Sequence, residues 1–405
     1  MYCCSKSVFL LFSCLGCLAQ VVTESPEIIK RNTQKLMSQS VSIRGPEGYV
    51  LAHSEEAEEE ATLRACTLAH QINCPLYLAH ISCPATTAII ASRQKKGHVV
   101  FGEVTPAALA CNDVSYWDKD WKTAASLVAS PPIRKEHCTE MADALAKDLG
   151  LDLVGSNHAA FNSQQKALGL QDFTQIPVGT NGVEERLSVV WNQGIESMSA
   201  QRFVAVTSTN AAKIFGLYPD KGHIEVGSQA DIVIWDPEAF KSVRIEEQCS
   251  KSDLNIFHGL TFKGRPDVVI LRGKVVLEDG DIGGEVRAVQ GHGRALPLSP
   301  YPTHVYQKIK ERQIFNFVPV ERKEEDLVIS ADCEVPPPLP TKSYQPEKAA
   351  SLHISNIDLK SHPNNGNDQE SAADHSAVIL SRSNRHRSSI RIKNPPGGRA
   401  TGSFW

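Results

Sequence analysis

Between Pro75 and Gly102 the chain spells strand, helix, strand with little in between, and this stretch constrains its architecture more than any other. Pro75-Leu76-Tyr77-Leu78-Ala79-His80-Ile81 is an apolar run of strand length. Thr86 to Lys96 has helical composition, and His98-Val99-Val100-Phe101-Gly102 is a second apolar run. Strands joined through a helix run parallel, since the crossover returns the chain to the same end of the sheet. Apolar character without alternation says that both faces of that sheet are covered. The pattern extends both ways. Ser54 precedes Glu55-Glu56-Ala57-Glu58-Glu59-Glu60-Ala61, a helix start with a cap and acids in the first turn, whose acidic run reads as a solvated face. A helix from Met141 to Lys147 leads into a further strand at Leu151-Asp152-Leu153-Val154-Gly155.

After Tyr218 the pattern changes to short β-rich runs separated by glycine-containing turns: Asp231 to Trp235, Val268 to Leu271 and Lys274 to Leu277. These predict a smaller antiparallel module. Tyr301 to Arg312 has helical period. From about Ala331 the composition turns to Pro, Ser, Asn, Lys and Arg without apolar spacing, which predicts a disordered tail. The expected divisions are an apolar segment at 1–23, an α/β body at 24–217, a β module at 218–295, a helix and extension at 296–330, and the tail at 331–405.

A formal net charge of -4 and 6% aromatic residues argue against nucleic-acid binding, which draws on basic stripes and stacking platforms. Eleven cysteines in 405 residues are too dilute for a disulfide scaffold, so reduced thiols and a cytoplasmic location are expected. Lys6, the apolar run Val8-Phe9-Leu10-Leu11-Phe12 and the small residues of Cys17-Leu18-Ala19 also fit the three parts of a secretory signal, too short for a membrane span. The competing reading makes Leu18 to Val21 the end of a buried strand and the apolar run core. The chain has no Asn-x-Ser/Thr acceptor, which favours the second. Cys14-Leu15-Gly16-Cys17 is a single CxxC without a second pair and reads as buried thiols.

Several stretches resemble the dihydropyrimidinase branch of the amidohydrolase superfamily. Thr207-Ser208-Thr209-Asn210-Ala211-Ala212-Lys213-Ile214-Phe215-Gly216 is similar to the helix leading out of the family's barrel. Gly222 to Val233 resembles the return to its β-sandwich. Gly45-Pro46-Glu47-Gly48, Tyr116-Trp117, Asn162 to Ala167 and Gly179 to Arg186 narrow the match to the branch. The resemblance runs from about Leu18 to Arg322 and implies an α/β fold: a partial (β/α)8, TIM-like amidohydrolase barrel with a small β-sandwich module. With early strands absent the sheet leaves an edge, which Val8 to Val22 could cover. The branch holds two kinds of member: dihydropyrimidinases, which open cyclic diamides, and collapsin response mediator proteins, which keep the fold, have lost the metal site and serve neuronal cytoskeletal signalling. Arg385-His386-Arg387-Ser388-Ser389-Ile390-Arg391 before Pro395-Pro396-Gly397-Gly398-Arg399-Ala400 resembles the mediator terminus.

Ring opening needs a hydroxide at neutral pH and a polarised carbonyl, which the family obtains from two bridged metal ions. No residue here is assigned to the family's His-x-His pair or bridging lysine, which lie in early barrel strands. The stretch resembling Ala-Gln-Val-His-Ala-Glu reads Ala19-Gln20-Val21-Val22-Thr23-Glu24, so Val22 stands where a ligand histidine is expected. His80 keeps the next ligand position. Asn157 stands at the catalytic aspartate, and an amide cannot accept the proton. His158 beside it is expected to point to the opposite face. Ser130 and Asn181 match positions that contact the pyrimidine ring, although Ser-Pro-Pro and Asn-Gly are also ordinary turn sequences.

The expectation is therefore a non-hydrolytic scaffold without a cofactor, with His80 as a satisfied histidine rather than a ligand. The alternative is a two-zinc cyclic amidase acting on dihydrouracil or hydantoin. Relatives by resemblance are tetramers, which implies homo- or hetero-tetramers through the helix Phe203 to Phe215. In the tail, Pro337, Pro340 and Lys342 form a Pro-x-x-Pro-x-Lys motif suited to an SH3- or WW-type partner, or a stiff linker. Ser388 and Ser389 sit among arginines, where phosphorylation would weaken binding to an acidic partner such as a tubulin tail.

Overall fold

The computed structural model describes residues 6–38, 43–111, 113–134, 137–194, 196–278 and 293–315. Pro337, Pro340, Lys342, Ser388 and Ser389 lie outside the described residues, as does the whole tail from 331. The chain opens with α1 (Lys6–Cys14), β1 (Ala19–Val22), α2 (Pro26–Met37), α3 (Glu47–Ala52) and α4 (Glu55–Ile72). Then come β2 (Leu76–Ile81), α5 (Pro84–Lys95), β3 (Val100–Val104), α6 (Pro106–Ala110), α7 (Trp121–Ser126), α8 (Cys138–Ala146) and β4 (Leu153–Val154). The four strands form one parallel sheet in chain order, with β1 against β2, β2 against β3 and β3 against β4. The apolar run at the start forms α1 and enters the core through Phe9, which is 1% exposed, while Leu10 and Leu11 are exposed; Leu18 to Val21, expected as strand, lead into and form β1.

The pleat of the sheet sorts its two faces. Leu76, Leu78, Val100, Val104 and Val154 enter the core beneath the crossover helices. Tyr77, Ala79, Phe101 and Leu153 point the other way, into what would be the interior of a closed barrel. The segment Val8 to Val22, expected to cover an open edge of the sheet, supplies its first strand, β1, and Leu18 packs against the concave face. The chain continues through α9 (Ser163–Lys166), α10 (Arg186–Gly194), α11 (Ala200–Val204), α12 (Asn210–Ile214), β5 (Ile232–Ser242), β6 (Thr261–Leu271), β7 (Lys274–Leu277) and α13 (Thr303–Phe315). It is α13 that covers the concave face, through Val305, Tyr306 and Ile309, together with Ile214 of α12. Helix periodicity placed α13 from the sequence. Its contact across some 200 residues of chain had no local signature. At the outer side of β4, Asn210 Nδ2 donates to Asp152 O at 2.7 Å and Arg186 Nη1 to Val154 O at 3.1 Å. Those carbonyls are thereby withheld from strand pairing.

The helix Phe203 to Phe215 is interrupted by one wide turn, Ala205–Thr209, with i→i+5 character between α11 and α12. Strands β5, β6 and β7 make a three-stranded antiparallel sheet. Among the described residues it is a single sheet rather than a sandwich. It packs on α10, where the Trp191 ring meets Trp235 at 6.1 Å and Phe203 at 5.0 Å, and Trp191 Nε1 donates to Pro237 O at 3.1 Å. Gly264 of β6, at φ 90°, lets the backbone pass against the Trp191 ring, where a Cβ would clash.

Candidate functional site

The carboxyl ends of parallel strands converge on one side of the sheet, and loops leaving them build the cleft. The end of β2 contributes His80 and the loop after it Ser82, the loop after β3 Thr105, and that after β4 Asn157. Ala129, Pro131 and Thr180 close the walls, around a cavity of about 10 Å³, the room of about one water.

His80 leaves the strand pleat with φ 62°, and Asn157 follows β4 with φ 45°. Both are left-handed, a conformation that Asn and His tolerate better than most residues. The His80 amide donates to Glu103 Oε1 at 3.3 Å, and its Nε2 lies 3.5 Å from the same oxygen. Burial holds the His80 imidazole below the ordinary range, and the charges of Glu103 and Glu24 oppose that shift. Glu103 also accepts from the Tyr77 hydroxyl and presses its carboxylate on Gly155, where a side chain would not fit. Burial, then Glu103, raises the Tyr77 phenol far above its usual value. His80 is thus a histidine with a carboxylate partner. His158 is exposed and joins Thr180 in an isolated parallel bridge. The reason it misses the cleft is the left-handed turn at Asn157, not strand alternation, since β4 ends at Val154.

A second polar cluster lies where the chain leaves β1. Glu24 accepts from Ser130 Oγ on one oxygen and contacts His53 Nδ1 at 2.5 Å on the other. His53 stacks on Tyr49 at 4.1 Å between ring centroids, and Arg134 Nη2 donates to His53 O at 2.5 Å. Burial raises the Tyr49 phenol, and the Glu24 charge adds to it. Ser130 therefore faces Glu24 while Ala129 and Pro131 on either side line the cleft. Asn181 is buried, with Nδ2 3.5 Å from Gln248 Oε1, and Gln248 in turn accepts from Asn255 Nδ2 at 3.0 Å. Its neighbour Thr180 lines the cleft. The structure thus gathers His80 and Asn157 in one cleft and leaves the Ser130 and Asn181 side chains outside its wall. Val22 ends β1 with 43% exposure and is not part of the lining.

Two buried charged residues at this end were not singled out from the sequence. Glu58 was counted in a solvated face; instead it is 1% exposed, and its carboxyl accepts from Ser82 N at 2.9 Å and contacts Ser82 Oγ at 2.5 Å. Burial pushes it up to about 7 against those hydrogen bonds. The signal was the helical stripe Glu58, Thr62, Ala65 and Ala69, all buried, which gives this acid the core face. Lys166, within a stretch quoted for the resemblance, is 1% exposed. Its Nζ donates to Val128 O at 3.1 Å, Pro177 O at 2.7 Å and Gly179 O at 2.9 Å. Burial pushes it down to about 7, while three carbonyls use all three N–H groups of the ammonium form. It ties together the two loops that hold Ala129 and Thr180. Nothing local in the sequence marks that role.

A family model described as the amidohydrolase family matches residues 47–276. Rat dihydropyrimidinase is 44% identical over 313 residues, 76% of this chain and 59% of its own length. Mouse dihydropyrimidinase-related protein 5 is 35% identical over 398 residues, 96% of this chain and 67% of its own. The crystal structure of dihydropyrimidinase from Brevibacillus agri superposes with TM-score 0.68 at 33% identity, covering 73% of this chain and 63% of that one.

The chain belongs to the dihydropyrimidinase-like branch of the amidohydrolase family.

It spans about three fifths of the length of the dihydropyrimidinase it matches. The metal pair that the resemblance implies can be tested against the side chains of this amidohydrolase-family cleft. Val22 has no lone pair, Asn157 offers a neutral amide, and His80 shares its environment with Glu103. Among the described residues no three His, Cys, Asp or Glu side chains gather in metal-ligating geometry. The residues present do not fit a bridged metal pair. Among the described residues, too, no helix is long and apolar enough to cross a membrane.

Proposed function

We propose that this chain is a non-hydrolytic, dihydropyrimidinase-related scaffold. Asn157 carries the reading: hydrolysis in this family needs a carboxylate at that position to take the proton from the attacking water, and an amide has no basic lone pair to do so. Val22 in place of a ligand histidine supports it, as does a cleft with room for about one water. A match of 398 residues with dihydropyrimidinase-related protein 5 necessarily runs into the tail, whereas the rat dihydropyrimidinase match covers 313. On this reading the folded body assembles with itself or with relatives as tetramers in the cytoplasm. The tail supplies reversible contacts: Pro337, Pro340 and Lys342 to an SH3- or WW-type groove, and the arginines around Ser388 and Ser389 to acidic cytoskeletal surfaces such as tubulin tails. No cofactor is needed; two zinc ions belong to the hydrolase reading.

The test is dihydrouracil ring opening by the purified chain in the presence of zinc, with the Val22→His, Asn157→Asp double variant alongside. Absence of turnover in the unaltered chain is expected. Sustained, zinc-dependent turnover by it would refute the proposal.

A further inference from the structure

The second cysteine of the CxxC, which follows α1, lies near a third thiol, Cys74. Strands β1 and β2 pair in parallel with Ala19 opposite Leu76, and the Ala19 amide donates to Pro75 O at 3.1 Å, so the alignment persists at the start of both strands. Two residues further back, before either strand begins, come Cys17 and Cys74, near enough that the charge of Cys17 acts on the Cys74 thiol. Continued back to the two cysteines, the strand spacing of about 4.8 Å would fall within the span of about 4.4–6.8 Å between Cα atoms that a disulfide bridges. Cys74 packs in the same core as Ala19 and Leu76. The segments are held: Cys17 N donates to Phe12 O at 2.9 Å, Cys74 N to Ala69 O at 2.9 Å, and the Tyr306 hydroxyl of α13 to Cys17 O at 3.0 Å. Cys74 is buried and Cys17 half-buried, which gives a reagent access to Cys17 first. Cys14, by contrast, ends α1 with an exposed side chain, and the left-handed Gly16 turns the chain away before Cys17.

We propose that Cys17 and Cys74 form a redox-modifiable pair that closes to a disulfide with a small-molecule disulfide such as glutathione disulfide as oxidant. The deprotonated Cys17 sulfur attacks one sulfur of the oxidant, whose S–S bond breaks and releases one glutathione thiolate. Deprotonated Cys74 then attacks the Cys17 sulfur, the mixed disulfide breaks, and the second glutathione leaves. Two protein thiols lose two electrons and two protons, and one glutathione disulfide becomes two thiols. Burial pushes the Cys74 thiol up to about 12, so the second step is the slow one. The bond fastens α1 and β1 to β2 beside the contact of α13.

The full chain is incubated with glutathione disulfide, its remaining thiols are alkylated, and intact mass and non-reducing peptide maps are recorded. The expected result is loss of two hydrogens, with Cys17 joined to Cys74. Cys14→Ser keeps the bond and Cys17→Ser, at a half-buried position, loses it. A Cys14–Cys17 bond, a lasting glutathione adduct with Cys74 still open to alkylation, or an unchanged mass would each overturn the proposal.

Discussion

Replacing Glu58 by glutamine removes a titratable group without removing its contacts. One carboxyl oxygen accepts the Ser82 amide and the other meets the Ser82 hydroxyl. A glutamine oxygen takes the first role, and its NH2 donates to the hydroxyl in the second. The energetic difference lies in the charge. The Glu58 carboxyl is fully buried and raised to about 7 from an ordinary 4.5. Between those values the unfolded chain releases this proton and the folded chain keeps it, so its contribution to stability falls as pH rises through that window. Above it, the folded state carries a buried charge whose cost corresponds to about 3 kcal/mol. Urea unfolding of the parent and Glu58→Gln at pH 4 and at pH 8.5 therefore gives near-equal midpoints in acid and a more stable variant in base. Subtraction cancels other groups that titrate in the window, such as Asp152, which burial raises to about 6. A variant less stable than the parent at pH 8.5, or a difference that does not change with pH, would refute the reasoning.

Lys166→Met removes the Nζ donor from Pro177 O, Gly179 O and Val128 O, of which Val128 O keeps the Gly179 amide at 2.9 Å, and should lower stability by about 2–4 kcal/mol in thermal unfolding, with loosening of the loops at Val128 and Gly179 seen by hydrogen exchange. His98, stacked on His70 at 3.5 Å between ring centroids, is lowered to about 4 by burial, with His70, Arg93 and Arg312 adding repulsion. Its contribution to stability is present above the ordinary 6.5 and lost as pH falls toward 4, so His98→Phe should flatten the acid limb of a stability profile. Arg312→Ala removes donors to His70 Nδ1 at 2.8 Å and to Asn73, and should speed proteolysis within α13 while leaving the sheet protected. Gly264→Ala should cost more than about 1 kcal/mol in urea unfolding, because both its left-handed φ and the Trp191 ring oppose a Cβ.

Strands β2 and β3 were legible because they are largely apolar and the crossover between them carries ordinary helix signals. Residues 76–81 and 100–104 differ from the sequence reading only at their ends. The concave face was not legible. Tyr77 and Phe101 look like core in either direction, and only the long-range return of α13 decides what covers them. The identities of His80 and Asn157 in the cleft, and of Val22 outside it, carried the chemistry, since a missing lone pair is visible in sequence. Orientation was not visible: Ser130 turns to Glu24 and Asn181 to Gln248 through contacts between residues 67 and 106 positions apart. Glu58 was misread because its acidic neighbours outweighed its place on the buried stripe.

The donor set around His80 is tested most directly by elemental analysis of the chain after equilibration with excess zinc and removal of loosely bound ions. Zinc well below one ion per chain is the predicted result. Two tightly held ions per chain, lost together in a His80→Ala variant, would contradict the account.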